Sequence, residues 1–198
     1  MNSDYSIHFF DEQFQQQTLA GDLTLNAFEE LALPHVRGRV LDFGCGMGNL
    51  AVAAARRGCT VVALDGSQAA ISHLQRRARA DSLEIDAVQA DLRDFQVRDK
   101  FDSVVSIGLL MFFDEATAYR CLERLQACVR EGGVVIINVL IEGTTYMDMF
   151  DPDGYCLFSR DELLKRFAGW KILLSECRDF IVAEDRVKSF VTMIAQKP

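Results

Sequence analysis

A chain of 198 residues with 49% hydrophobic and 25% charged residues has ordinary globular composition and length enough to bury one substantial core. Its net charge of -8 repels phosphate, which argues against nucleic acid or an anionic membrane surface as partner and for a small-molecule or protein substrate. The longest apolar runs, Ile107–Phe113 and Val134–Ile137, fall far short of the roughly 20 residues that cross a bilayer.

The opening Met1-Asn2-Ser3-Asp4-Tyr5 lacks a basic segment followed by an apolar stretch and a cleavage site, so the expected location is the cytoplasm. Six cysteines without a C-x-x-C pair fit reduced, mostly buried thiols and no metal site. Residues 1–38 read as an amphipathic helical cap or lid, with Phe9, Phe10 and Phe14 early and Leu23, Leu25, Phe28, Leu31 and Leu33 later. Residues 39–198 read as the core of a single domain that spans 1–198, as a monomer or homodimer.

From Arg39 onward, β-branched runs alternate with helical segments, the pattern of βαβ units. Strands are expected over Arg39–Phe43, Cys59–Leu64, Leu83–Gln89, Phe101–Ile107 and Gly133–Ile141. Helices are expected near Gly48–Arg57, Ser67–Ala80 and Glu115–Arg130. In the last of these, Ala118, Cys121, Leu122, Leu125, Cys128 and Val129 recur at helical spacing. Gly132-Gly133 is expected to end that helix and open the fifth strand. A loop with Asp151-Pro152-Asp153-Gly154 leads to a helix opened by the capping-box pattern Ser159-Arg160-Asp161-Glu162. Two further strands, Trp170–Phe180 and Val187–Ala195, flank the acidic turn Glu184-Asp185 as a closing antiparallel hairpin. The fold class is α/β: a three-layer Rossmann-like arrangement on a seven-stranded, mostly parallel sheet.

Asp42-Phe43-Gly44-Cys45-Gly46-Met47-Gly48 joins a hydrophobic strand to an alanine-rich helix, where an open α/β sheet binds nucleotides. Glycines let the backbone approach a ligand, and the helix start presents free N–H groups for a carboxylate such as that of a methionine moiety. A dinucleotide fingerprint asks for glycine at position 49, which is Asn49, so a nicotinamide oxidoreductase ranks low. Asp42 suits a cationic ammonium better than a pyrophosphate. Asp65, ending the second strand before Gly66, is placed for both hydroxyls of a ribose, or else caps the next helix. Asp91 is placed for an adenine amino group beside an apolar Leu92, or else caps its own loop.

A carboxylate with a G-x-G-x-G loop and two more after strands two and three form the cofactor signature of class I methyltransferases. From Phe9 to the C-terminus the chain resembles the tellurite-resistance (TehB-like) methyltransferases. The matching stretches are Val40–Gly48, Ser106–Phe113, Glu131–Gly133, Phe158–Leu163, Ala168–Trp170 and Val191–Ala195. The resemblance implies S-adenosylmethionine as cofactor, S-adenosylhomocysteine as product, and Asp42, Gly44, Cys45, Gly46, Gly48, Asp65, Gly66, Asp91, Leu92 and Ile107 around the cofactor. It also implies a His-Arg pair in the last strands, where this chain has Cys177-Arg178. Arg178 and Arg186 remain as candidates for positioning an anionic substrate.

Leu109, Phe112, Tyr146 and Phe158 are candidate walls of the substrate cleft. The segment Gly108–Phe113 carries no nitrogen base, which favours a soft, lone-pair nucleophile over an alcohol or a protonated amine. Of the three histidines, His8 approaches the cleft only if the N-terminal segment folds over it, His35 precedes the first strand, and His73 is expected on a helix surface. The expected function is methyl transfer to a small molecule, with a chalcogen oxyanion such as tellurite as first guess. The alternative is a non-catalytic S-adenosylmethionine-binding regulatory protein.

Overall fold

The computed structural model describes residues 23–96, 98–152 and 154–198. His8, Phe9, Phe10 and Phe14 of the expected cap lie outside the described residues, as does Asp153.

Chain order gives α1 (Ala27–Ala32), β1 (Arg39–Phe43), α2 (Asn49–Arg56), β2 (Thr60–Asp65), α3 (Gln68–Ala80), β3 (Ile85–Gln89) and β4 (Phe101–Ile107). There follow α4 (Glu115–Cys128), β5 (Val129–Leu140), α5 (Arg160–Arg166), β6 (Lys171–Ile181) and β7 (Val187–Gln196). The seven strands form one sheet in the order β3-β2-β1-β4-β5-β7-β6. Strands β1 to β5 pair in parallel and β7 runs antiparallel to both neighbours.

Alternation along the strands divides the core into two layers. On one face Val40, Val61, Ala63, Val105, Ile136 and Ile194 pack against Leu33, Leu50, Ala51, Ile71 and Leu74 of the α1–α3 side. On the other, Leu41, Phe43, Val104, Val135, Ile137, Val191 and Met193 pack against Ala118, Leu122 and Leu125 of α4 and Leu163 of α5. Helices thus cover both faces, as a largely parallel sheet requires.

The chain runs outward from β1 to β3, then returns to the other side of β1 with β4. That reversal opens a crevice beyond the carboxyl ends of β1 and β4, the place where such sheets bind ligands. Each end is capped as its residues dictate. Asn26 Oδ1 accepts from Phe28 N and Glu29 N at 2.9 and 3.0 Å, and Glu29 Oε2 accepts from Asn26 N at 2.8 Å, a complete capping box on α1. Ser159 caps α5 through Glu162 N, but the Glu162 carboxylate turns to Arg166 at 3.1 Å instead of closing a box.

The start of β5 corrects the sequence expectation. Helix α4 ends at Cys128 because Val129 is already extended, and Gly132-Gly133 lies inside the strand. The register jumps from Phe101 opposite Val129 to Ser103 opposite Val134, so the intervening residues bulge. Gly132 takes φ of 70°, and Arg130 swings to Asp102 at 2.9 Å. Elsewhere boundaries move by one or two residues; Leu83, for example, closes a turn by donating to Ala78 O at 2.9 Å. Among the described residues no helix is long and apolar enough to cross a membrane.

Candidate active site

The loop after β1 needs its glycines. Gly44, Gly46 and Gly48 take φ of 85°, 50° and 73°. A Cβ on Gly44 meets Leu109 at 2.8 Å, and one on Gly48 meets Leu74 at 2.5 Å. The loop therefore lies pressed between the segment after β4 and helix α3.

Asp65 holds this loop in place. Its Oδ2 accepts from Gly46 N and its Oδ1 from Ser67 N, both at 2.8 Å. The cap of α3 is Ser67, whose Oγ accepts from Ala70 N at 3.1 Å.

Asp42 is 5% exposed, and its Oδ2 is buried without a hydrogen-bond partner. Burial, together with the charges of Glu29 and Asp65, pushes its carboxyl up to about 8. A buried carboxylate beside two others is costly unless it keeps a proton or meets a cation. Cys45 is 8% exposed, and the same burial and the charges of Asp42 and Asp65 hold its thiol well above its ordinary value.

Sequence reasoning missed Glu29. Its carboxyl, half-buried on α1, is raised by burial and accepts from the backbone of Asn26 and of Leu50, the latter at the start of α2. One of the helix amides expected to serve a ligand carboxylate is thus taken by the protein's own side chain. The Asn26-x-x-Glu29 spacing was the available signal, since a box there fixes where the glutamate sits. Asn49 Nδ2 to Thr24 O at 3.1 Å and Arg77 to Asn49 Oδ1 at 2.8 Å further tie the α1 segment to α2 and α3.

The remaining cofactor candidates are spread more widely. Asp91 is exposed and doubly bonded to its neighbour Arg93, at 2.9 Å to Nε and 2.5 Å to Nη2, which holds its carboxyl below the usual range. Gly66 O accepts from Gln89 Nε2 at 3.1 Å. Leu92 is buried in the α4-side core, while Ile107 is half-buried at the end of β4 on the face that carries Asp42. Along that face the register continues from Ile107 to Asn138, Thr192 and Glu176. Asn138 is fully buried; its Nδ2 donates to Thr192 Oγ1 at 3.0 Å and its Oδ1 has no partner.

Among the cleft candidates, Leu109 packs on Gly44, and Phe112 lies 5.2 Å from Phe150 in a cluster with Met111, Leu140 and Tyr146. Phe158 is 0% exposed and packs on Tyr119, so it has no face turned to a cleft. Both arginines are already engaged: Arg178 with Glu176 at 2.6 Å, and Arg186 with both oxygens of Asp148 at 2.7 and 2.8 Å. Lys188 was also missed. It is half-buried, its ammonium lies 4.4 Å from the Tyr146 ring centre, and burial lowers its affinity for the proton. His73 is half-exposed on α3, with its Nε2 buried and without a hydrogen-bond partner. Among the described residues no group of three acidic, histidine or cysteine side chains is set to hold a metal.

Residues 40–133 match a family model described as a methyltransferase domain. Hemagglutinin 1 of Eikenella corrodens is 27% identical over 81% of this chain and 55% of its own length. The probable S-adenosyl-L-methionine-dependent methyltransferase TehB of Haemophilus influenzae is 22% identical over 96% of this chain and 66% of its own. The chain therefore spans between about half and two thirds of these curated relatives. In fold, it superposes on the crystal structure of TehB from Haemophilus influenzae with a TM-score of 0.73 and 20% identity, covering 90% of this chain and 62% of that one.

Proposed function

We propose that the chain is an S-adenosylmethionine-dependent methyltransferase that transfers a methyl group to a small-molecule acceptor at the crevice between β1 and β4. The observation that carries this reading is the unpartnered, buried Oδ2 of Asp42 in a field of further carboxylates, an arrangement that calls for a cationic ligand group.

The residues present fit the cofactor. Asp42 would face its ammonium, Asp65 would meet the ribose while fixing Gly46, and Asp91 and Leu92 would serve the adenine end. Ile107 and Leu109 line the approach to the sulfonium. When bound, the sulfonium supplies a methyl that an acceptor lone pair takes in line, the sulfur keeping the bonding electrons as S-adenosylhomocysteine forms.

The chain's own task is then alignment and exclusion of water. Leu109 and Phe112, half-buried between the glycine loop and the Phe150 cluster, supply apolar walls. Neither Leu109, Phe112 nor Tyr146 offers a histidine-like base, which favours an acceptor whose attacking atom carries a free lone pair. Sulfur, selenium and tellurium nucleophiles meet that condition, and a chalcogen oxyanion is the first acceptor to test.

Calorimetry with S-adenosylmethionine and S-adenosylhomocysteine tests the cofactor, and absence of binding at millimolar ligand overturns the reading. Labelled-methyl turnover across tellurite, thiols, phenols and amines then selects the acceptor. Binding without turnover on any of them favours a regulatory binding protein, a reading that the engagement of Arg178 and Arg186 in ion pairs keeps open.

A further inference from the structure

We propose that Glu29 of α1 is a positioning residue of the cofactor site, forming with Asp42 a paired-carboxylate seat for the cofactor's ammonium and so coupling the docking of α1 to occupation of the site. The inference rests on S-adenosylmethionine being the cofactor.

Three observations carry it. The Glu29 carboxylate is fixed from two sides, by Asn26 N at 2.8 Å within α1 and by the backbone of Leu50 at the start of α2. It cannot swing to solvent without losing both. Asp42, within its electrostatic reach, is 5% exposed and has an oxygen with no partner. The titratable groups facing Asp42 are Glu29 from α1, Asp65 from β2 and the Cys45 thiol from the loop, every one of them an acid. Two of them have other work: Asp65 holds Gly46 and Ser67, and the Cys45 thiol points to Gly46 O at 3.7 Å.

The consequence is electrostatic. With no cation present, Asp42 keeps its proton at neutral pH, held up to about 8. An ammonium beside it releases that proton; the negative charge of Glu29 draws the ammonium in while holding the Asp42 proton on, so Glu29 raises both the affinity and the number of protons released. Coupling is reciprocal: if Glu29 on α1 strengthens cofactor binding, the cofactor strengthens the hold of α1 on the loop by the same factor.

The test uses Glu29→Gln, because glutamine serves at this position of a capping box and leaves α1 its cap. Binding of S-adenosylhomocysteine and of methylthioadenosine, which lacks the amino-acid tail, is measured at pH 7 by calorimetry in buffers of different ionisation enthalpy. The expected result is about tenfold weaker binding of S-adenosylhomocysteine, in line with loss of a charge-assisted contact. Methylthioadenosine affinity stays within about twofold, and the variant releases fewer protons on binding S-adenosylhomocysteine, since Asp42 then has one less charge holding its proton on. Equal losses for both ligands mean that Glu29 is only structural, and unchanged S-adenosylhomocysteine binding removes it from the site. If the unaltered protein binds neither ligand, the cofactor reading itself falls and this one with it.

Discussion

At the scale of the residue, Asp42 makes the stability of the fold depend on pH. Its carboxyl rises from an ordinary 3.8 to about 8 in the folded chain. Below about pH 4 it is protonated both folded and unfolded. Between there and about 8 the unfolded chain gives up a proton that the folded chain retains, so this group's contribution to stability falls as pH rises and levels off above about 8, by up to about 1.4 kcal/mol per pH unit. Asp42→Asn removes that slope. Urea denaturation at pH 5 and pH 8 is expected to show the variant gaining on the unaltered protein by about 2–4 kcal/mol between those two conditions, while cofactor binding is lost. A parallel pH dependence in the two proteins contradicts the assignment. Asp65 behaves differently, because it has backbone work. Asp65→Ala should weaken cofactor binding by about 1–3 kcal/mol and also loosen the loop, whereas Asp65→Asn, which keeps one acceptor oxygen, should lose less thermal stability than alanine does. Equal melting temperatures for the two variants would show that the bonds to Gly46 and Ser67 contribute little.

At the scale of the element, the short helix α1 owes its place to contacts outside itself. Six residues are too few to hold a helix by propensity. Phe28 packs between Phe190 at 4.8 Å and Phe180 at 5.7 Å, and Asn26 caps the start. Phe28→Ala is expected to speed amide exchange over residues 24–35 by about tenfold, with exchange in β4 and β5 unchanged, since local opening has its own free energy. A uniform increase across the sheet would instead make α1 part of the global folding unit. The glycine loop is the stiffer element. Gly48→Ala places a methyl at φ of 73° and 2.5 Å from Leu74, so a loss of about 2 kcal/mol in denaturant titration is expected. Relief in a Gly48→Ala, Leu74→Ala double variant, relative to additivity, checks that the clash is the cause. The loop was legible in the sequence because glycine spacing is local chemistry. Glu29 was not, because nothing in a capping pattern says which loop the helix will lie against.

Across the whole molecule, alternation of apolar strands with amphipathic helices was enough to name the architecture. Local signals set most of its boundaries to within two residues. The exception, the opening of β5, is a place where sequence punctuation misleads: Gly132-Gly133 marks a bulge inside a strand, made necessary because the sheet register must absorb residues between Val129 and Val134. The acceptor end was least legible. Ion pairs such as Arg186 with Asp148, and the stacking of Lys188 on Tyr146, join residues about forty positions apart. Composition reveals such charges but not whether they are already neutralised.

The position of β7 between β5 and β6 has a consequence for how this protein is made. Among the described residues β6 has β7 as its one neighbour in the sheet, yet precedes it in the chain. Until Val187–Gln196 is in place, β6 therefore has nothing to pair with, and the buried run Val134–Leu140 of β5 keeps an open edge. During that interval a nascent chain displays one of its most apolar strands to solvent and to other chains. A chain truncated between Ile181 and Val187 should be bound by chaperones, and one carried through Gln196 should not.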